Sequence, residues 1–158
     1  MPTLPQLADK VSQYVRLTNE LAAELGTKNI IGQWGEELIA AHLDGQLLKA
    51  SNKGADVEAF GVLYQVKTRQ VNPGDKRPQL GTIRSWDFDY LAVVLIDHTG
   101  GVKAAYFIPA ETARPLAYYS EHVNGHILYI TPALVARPDC QDITEHVRNL
   151  TRHGTIKF

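Results

Sequence analysis

The 158-residue chain has one cysteine, Cys140, so no disulfide can close within it, which suits a reducing compartment. Long apolar runs are missing too: none approaches the roughly 20 residues that span a bilayer. The opening "MPTLPQLADK" carries no apolar signal core. These absences lead to the expectation of a soluble, cytoplasmic protein. Charge of one sign is not in excess, since 16 basic and 17 acidic residues leave a net of −1. No global field therefore steers the chain to nucleic acid or membrane. Neither GxxxxGK[ST] nor GxGxxG occurs, and no serine or cysteine is coupled to a histidine in a recognisable order. A zinc site is disfavoured because its cysteine partners are missing and Asn124-Gly125 puts a turn between His122 and His126. With no internal repeat and no low-complexity linker, 158 residues read as one domain.

What is present is unevenly placed. Residues 1–48 carry a net charge of −3 and residues 87–158 carry −2, whereas residues 49–86 hold seven basic and three acidic side chains. Within that basic third, Lys53, Arg69, Lys76, Arg77 and Arg84 are candidates for holding nucleic-acid phosphates. Scattered solvated charges are the plainer alternative. Trp86, in "SWDFDYL", reads as a core plug more readily than as a platform for a base.

Apolar side chains at Leu4, Leu7, Val11, Tyr14, Leu21 and Leu25, with Thr18 filling the missing step, mark an amphipathic helix ended by Gly26. It is expected to pack on its own domain, with a coiled-coil seam to a second copy as the alternative. A second helix is expected over Ile31 to Leu43, with Gly45 as its C-terminal cap. "QLLKAS", "DVEAFG" and "VLYQVKT" read as short strands with a tight turn at Gly61. "QVNPGDKRPQLGTIRSW" reads as a polar loop. "YLAVVLID" is a strand covered on both faces, and "VKAAYFIPA" its hairpin partner. "PAETARPLAYY" is ambiguous between helix and loop. Asn124-Gly125 turns into a further strand. "DITEHVRNLTRHG" is a terminal helix with Asp142 and Glu145 spaced as a capping box.

Side chains alternate along a strand, so Gln65 and Lys67 share a face. If the turn at Gly61 pairs their strand with the one opened by Asp56, all three meet at one edge of the sheet. Asp56 and Gln65 offer oxygen ligands without cysteine or histidine, which suits a hard cation such as Mg2+. A lysine beside such an ion orients a water or steadies charge on a phosphate, which is the chemistry of phosphodiester hydrolysis. A polar face on an edge strand, with Asp56 making a turn, accounts for the same residues without any chemistry.

"GQWGEELIAAHL", "GAD" and "QVKT", in this order, resemble the PD-(D/E)xK nuclease superfamily in its variant with glutamine in the third motif. The resemblance covers residues 31–108, leaving the helix over 4–25 and a mixed C-terminal extension, 109–158, outside it. It implies an α/β fold with a restriction-endonuclease-like core: a central mixed β-sheet flanked by helices, here with an extra N-terminal amphipathic helix. It implies Mg2+- or Mn2+-dependent endonuclease activity on DNA. In that family's pattern Glu36 matches the helix glutamate, chosen over its neighbour Glu37. Asp56 matches the metal-binding aspartate and Lys67 the catalytic lysine. Gln65 stands where glutamate is usual, and the carbonyl of Val66 completes the metal shell. Ala55 replaces the proline before the aspartate. Gln65 removes one negative charge, which weakens the grip on metal and shifts weight to Asp56 and Glu36. Cutting both strands of a duplex favours a homodimer, with the N-terminal helix as candidate interface. The alternatives are a non-catalytic member of the fold that binds nucleic acid or a protein partner, and a regulatory or immunity protein acting through the amphipathic helix.

Overall fold

A computed structural model describes residues 1–49 and 54–153. Its centre is a six-stranded sheet in the order β1-β2-β3-β4-β5-β8. The strands are β1 (Gln46–Leu47), β2 (Val57–Ala59), β3 (Val62–Gln70), β4 (Tyr90–Ile96), β5 (Val102–Pro109) and β8 (Gln141–Asp142). β3 and β4 are parallel and every other pair in it is antiparallel, so the sheet is mixed. Phe60 and Gly61 make the β2–β3 turn, both at positive φ (52° and 80°), the left-handed pair that a two-residue hairpin requires. The expected strand 46–51 amounts to two described residues.

Strand β4 is apolar throughout because both its faces are covered. Ala92, Val94 and Ile96 join Tyr64, Val66, Val57 and Phe107 on one face. Leu91, Val93 and Leu95 join Leu80, Ile83, Phe88 and Leu128 on the other. The first face is roofed by helix α2 (Ile30–Leu43), through Leu38 and Ile39, and by α5 (Thr144–His153), through Val147. Arg148 pins α5 to β5, its Nε donating to the Val102 carbonyl (2.8 Å) and its Nη2 to that of Lys103 (2.7 Å).

The second face is closed largely by irregular backbone. Residues 71–89 cross from β3 to the parallel β4 and are tied down by the C-terminal half. Leu80 N–H donates to the Leu128 carbonyl (3.0 Å), while Ile83 and His126 exchange both backbone bonds (2.9 and 2.8 Å). The ambiguous 109–119 stretch resolves into α3 (Ala110–Leu116) and the start of a two-stranded ribbon, β6 (Tyr118–Ser120) with β7 (Gly125–Ile127). A short helix, α4 (Pro132–Val135), follows. The C-terminal residues are thus part of the same body: β8 extends the sheet and α5 roofs it.

Three local expectations need correction. Asp44, at φ 51°, takes the left-handed position after α2 expected of Gly45. Gly45 is small for another reason: a Cβ there would lie 2.7 Å from the Glu58 carbonyl. The terminal helix starts one residue later than a capping box at Asp142 would place it. Asp142 caps it from β8 by accepting the Thr144 N–H (2.9 Å), and Glu145 pairs with Arg148 instead. The third correction concerns helix α1 (Leu4–Leu25), which does not bury its stripe against the domain. None of its residues is buried, and Leu4, Val11, Tyr14 and Leu17 are more than half exposed. The sheet faces are already filled by α2, α5 and the 71–89 crossover, so only the end of α1 nearest Gly26 touches α2. Among the described residues, no helix is long and apolar enough to cross a membrane.

Candidate active site

Strand β2 is three residues long and β3 nine, so past Asp56 the edge of β3 runs on with no strand beside it among the described residues. Asp56 sits at that step. Its N–H donates to the Tyr64 carbonyl (2.8 Å) and its own carbonyl accepts from Leu48 (2.8 Å). Its carboxylate accepts the Val66 N–H at 2.8 Å. A strand residue's N–H and carbonyl face the same edge, so the Val66 carbonyl opens on the side where the Asp56 carboxylate lies. The "GAD" sequence explains this placement. Gly54, at φ 79°, admits the chain at 85–87, since a Cβ would lie 2.8 Å from Ser85 Oγ. Ala55 plugs the second core and leaves Asp56 facing the step.

Glu36 arrives from the other layer. Gly35 lies directly on Thr68 of β3, and any Cβ there would overlap the Thr68 hydroxyl. That contact lowers α2 onto the strand and delivers the next residue, Glu36, to the vicinity of Asp56. Burial first, then the charges of Asp56 and Glu37, raise the Glu36 carboxyl to a pKa of about 7. Glu37 turns along its own helix, accepting from Gln33 Nε2 (3.4 Å).

Gln65 and Lys67 share the opposite face of β3 and are half-buried, with Leu91 and Val93 beside them on β4. Lys67 Nζ donates to the Thr82 carbonyl at 2.7 Å. Burial lowers its pKa, the nearby Arg84 adds to that, and Asp56 opposes it. Asp56 is therefore the hub: it binds the strand between Gln65 and Lys67, and its charge acts on both Glu36 and Lys67. The sequence gave no signal for Thr82. Its place is set by Gly125, where a Cβ would overlap the Thr82 methyl.

The basic residues divide. Arg84 lies near Lys67 and donates to the Val123 carbonyl (3.2 Å). Arg69 is exposed at the far end of β3, opposite Leu95. Lys76 and Arg77 do not flank Asp56. The crossover carries Lys76 to a recess beside Lys103, Ala104 and Tyr106, across β4 from the step, and sets Arg77 over the Tyr129 ring at 5.1 Å. Lys53 lies outside the described residues. Trp86 is a plug, its Nε1 donating to His126 Nδ1 (3.2 Å) beside Phe88.

The four oxygen donors expected of a metal site, the Glu36 and Asp56 carboxylates, the Gln65 amide and the Val66 carbonyl, are of the kind that suits a hard cation. Only two are acidic, and no group of three or more His, Cys, Asp or Glu placed to hold a metal occurs among the described residues. A recess of about 590 Å3 lies near the start of β3 and β4, lined by Gly61, Val62, Asp89, Tyr90 and Glu111. None of Glu36, Asp56, Gln65 or Lys67 lines it. Compared with known proteins, the sequence matches no protein-family model and no curated protein.

Proposed function

We propose that the chain is a metal-dependent nuclease of the PD-(D/E)xK type, hydrolysing DNA phosphodiester bonds at the step beside β3. The observation that carries this reading is the Asp56 carboxylate, fixed to the Val66 N–H with its charge felt by Glu36 and Lys67. The alternation of β3, the mixed sheet flanked by helices, and the positive charges of Arg69 on β3 and of Arg84 near Lys67 support it.

Asp56, Glu36, the Gln65 amide oxygen and the Val66 carbonyl would hold Mg2+ or Mn2+. The ion would supply acidity to a bound water and draw charge from the phosphate. The protein's own residues do the remainder. Val66 N–H fixes the Asp56 carboxylate, so one oxygen is oriented before any ligand arrives. Burial holds the Glu36 carboxyl up to about 7, and approaching positive charge favours release of its proton. Lys67 spends one N–H on Thr82 and has two left to orient an attacking water or a phosphate oxygen. Arg84 and Arg69 supply positive charge along the path of the strand. One such site makes one cut, so severing a duplex calls for two copies.

Incubating the purified protein with supercoiled plasmid and Mg2+ or Mn2+ tests this. Nicking that disappears in both Asp56→Ala and Lys67→Ala supports the enzyme. Binding without nicking in every version supports a second reading, a non-catalytic module that binds nucleic acid or protein. Gln65, which leaves the step with two acidic groups, is the observation that favours it.

A further inference from the structure

Helix α1 is about 33 Å long at 1.5 Å per residue, and its apolar stripe is exposed from Leu4 to Tyr14 and only half-covered at Leu21 and Leu25. The stripe keeps strict 3-4 spacing at 4, 7, 11, 14, 18, 21 and 25, the spacing of a coiled-coil seam and narrower than an ordinary surface helix needs. Flanking it on one side are Ala8, Val15 and Ala22, all small, and on the other Lys10, Leu17 and Glu24. Lys10 and Glu24 are exposed and belong to no ion pair among the described residues.

We infer that α1 is the interface for a second copy of this chain, packed antiparallel as a two-stranded coiled coil. One register satisfies every stripe position from Leu7 to Leu25 at once. Leu7 packs on the mate's Leu25, Val11 on its Leu21 and Tyr14 on its Thr18, and the twofold axis repeats each layer. In that register the two Leu17 side chains meet at the axis on one flank and the two Val15 side chains on the other. Ala8 meets Ala22, whose small side chains let the helices close. Lys10 meets the mate's Glu24, twice, because the axis demands it. A parallel pairing would set Lys10 beside Val15 and Leu17 beside Ala22, bringing no opposite charges together. The self-complementarity of Lys10 with Glu24 is what selects a second copy over an unrelated protein. Leu21 and Leu25, already half-covered where α1 meets α2, complete their burial in this pairing. The inference does not depend on the chemistry at Asp56.

Light scattering on the full chain reads the mass directly, and twice the mass of one chain is expected at micromolar concentration. Val11→Glu with Tyr14→Glu should weaken association about 100-fold or more by placing charge in the seam. The domain should stay folded by circular dichroism, since Val11 and Tyr14 are more than half exposed. Lys10→Glu should weaken the dimer about tenfold, and Lys10→Glu with Glu24→Lys should restore it. In a Cys140→Ser background a short bismaleimide should link Leu17→Cys to its mate and leave Leu4→Cys unlinked. A monomer at about 100 μM, well above the micromolar range of a weak complex, overturns the proposal. So does a dimer indifferent to the double seam variant, a charge swap that fails to restore, or linking at Leu4→Cys but not at Leu17→Cys. Plasmid nicking by a monomeric variant would separate failure here from failure of the nuclease reading.

Discussion

The two faces of β3 are built on different terms. Tyr64, Val66 and Thr68 look into a layer of helices whose contents are nearly all apolar, and a buried hydroxyl there, Thr68 Oγ1, has no hydrogen-bond partner among the described residues. Gln65 and Lys67 look under an irregular crossover that supplies a carbonyl for the lysine. The first face is specified mainly by packing, with Arg148 tying α5 to β5 at its margin. The second must hold a charge, and a charge survives partial burial only if something nearby bonds to it. Regular helices satisfy their own carbonyls, whereas a crossover has carbonyls to spare, so the polar face lies under the loop.

That contrast can be broken at several points. The largest effect is expected at the hub: Asp56→Ala should lower nicking about 1,000-fold or more, a loss near 4 kcal/mol of transition-state stabilisation. Lys67→Met, which keeps the apolar stem, should lower it about 100-fold while leaving the melting temperature within a few degrees. A fall in the melting temperature as large as that of a core variant would mean the lysine is structural. On the helical face, Gly35→Ala should destabilise by about 1–3 kcal/mol through overlap with Thr68. Chemical denaturation reads this, and Thr68→Ala in the same chain should recover part of it.

Smaller effects sharpen the electrostatics. Because the Glu36 pKa is raised in the folded protein, its protonated form favours folding. That contribution is complete below the unfolded value of about 4.3 and is lost as pH rises through about 7. Stability without metal should therefore decline across that window, and Glu36→Gln should flatten the decline. Mn2+ affinity should rise over the same range, with proton release visible as buffer-dependent heats in calorimetry. Smallest of all, Thr68→Val should leave nicking unchanged and raise stability by about 1 kcal/mol by removing the unbonded hydroxyl.

Much of this was legible in one dimension. The period-two pattern of "VLYQVKT" placed Gln65 and Lys67 together, and the unbroken apolar run of "YLAVVLID" announced a strand covered twice. Both signals are local, because a strand's alternation is fixed by its own backbone. The partners of those residues were not legible. Gly35 against Thr68, and Gly125 against Thr82, are contacts between chain segments that 33 and 43 positions separate, and a glycine's spacing does not say what approaches it. Amphipathicity misled for a related reason. The stripe on α1 says that the helix wants an apolar partner, but whether that partner is its own domain depends on what else already covers the sheet.

The tie between Ile83 and His126 has a consequence for the order in which the molecule assembles. The carbonyl that holds Lys67 is stationed by a rung closed across 43 residues of chain, so a nascent polypeptide emerging N-terminus first has its strand, its aspartate and its lysine before it has anything to set them. Non-local closures of that kind come late in folding. The polar face of β3 therefore gains its last backbone partner only once residue 126 has joined the fold.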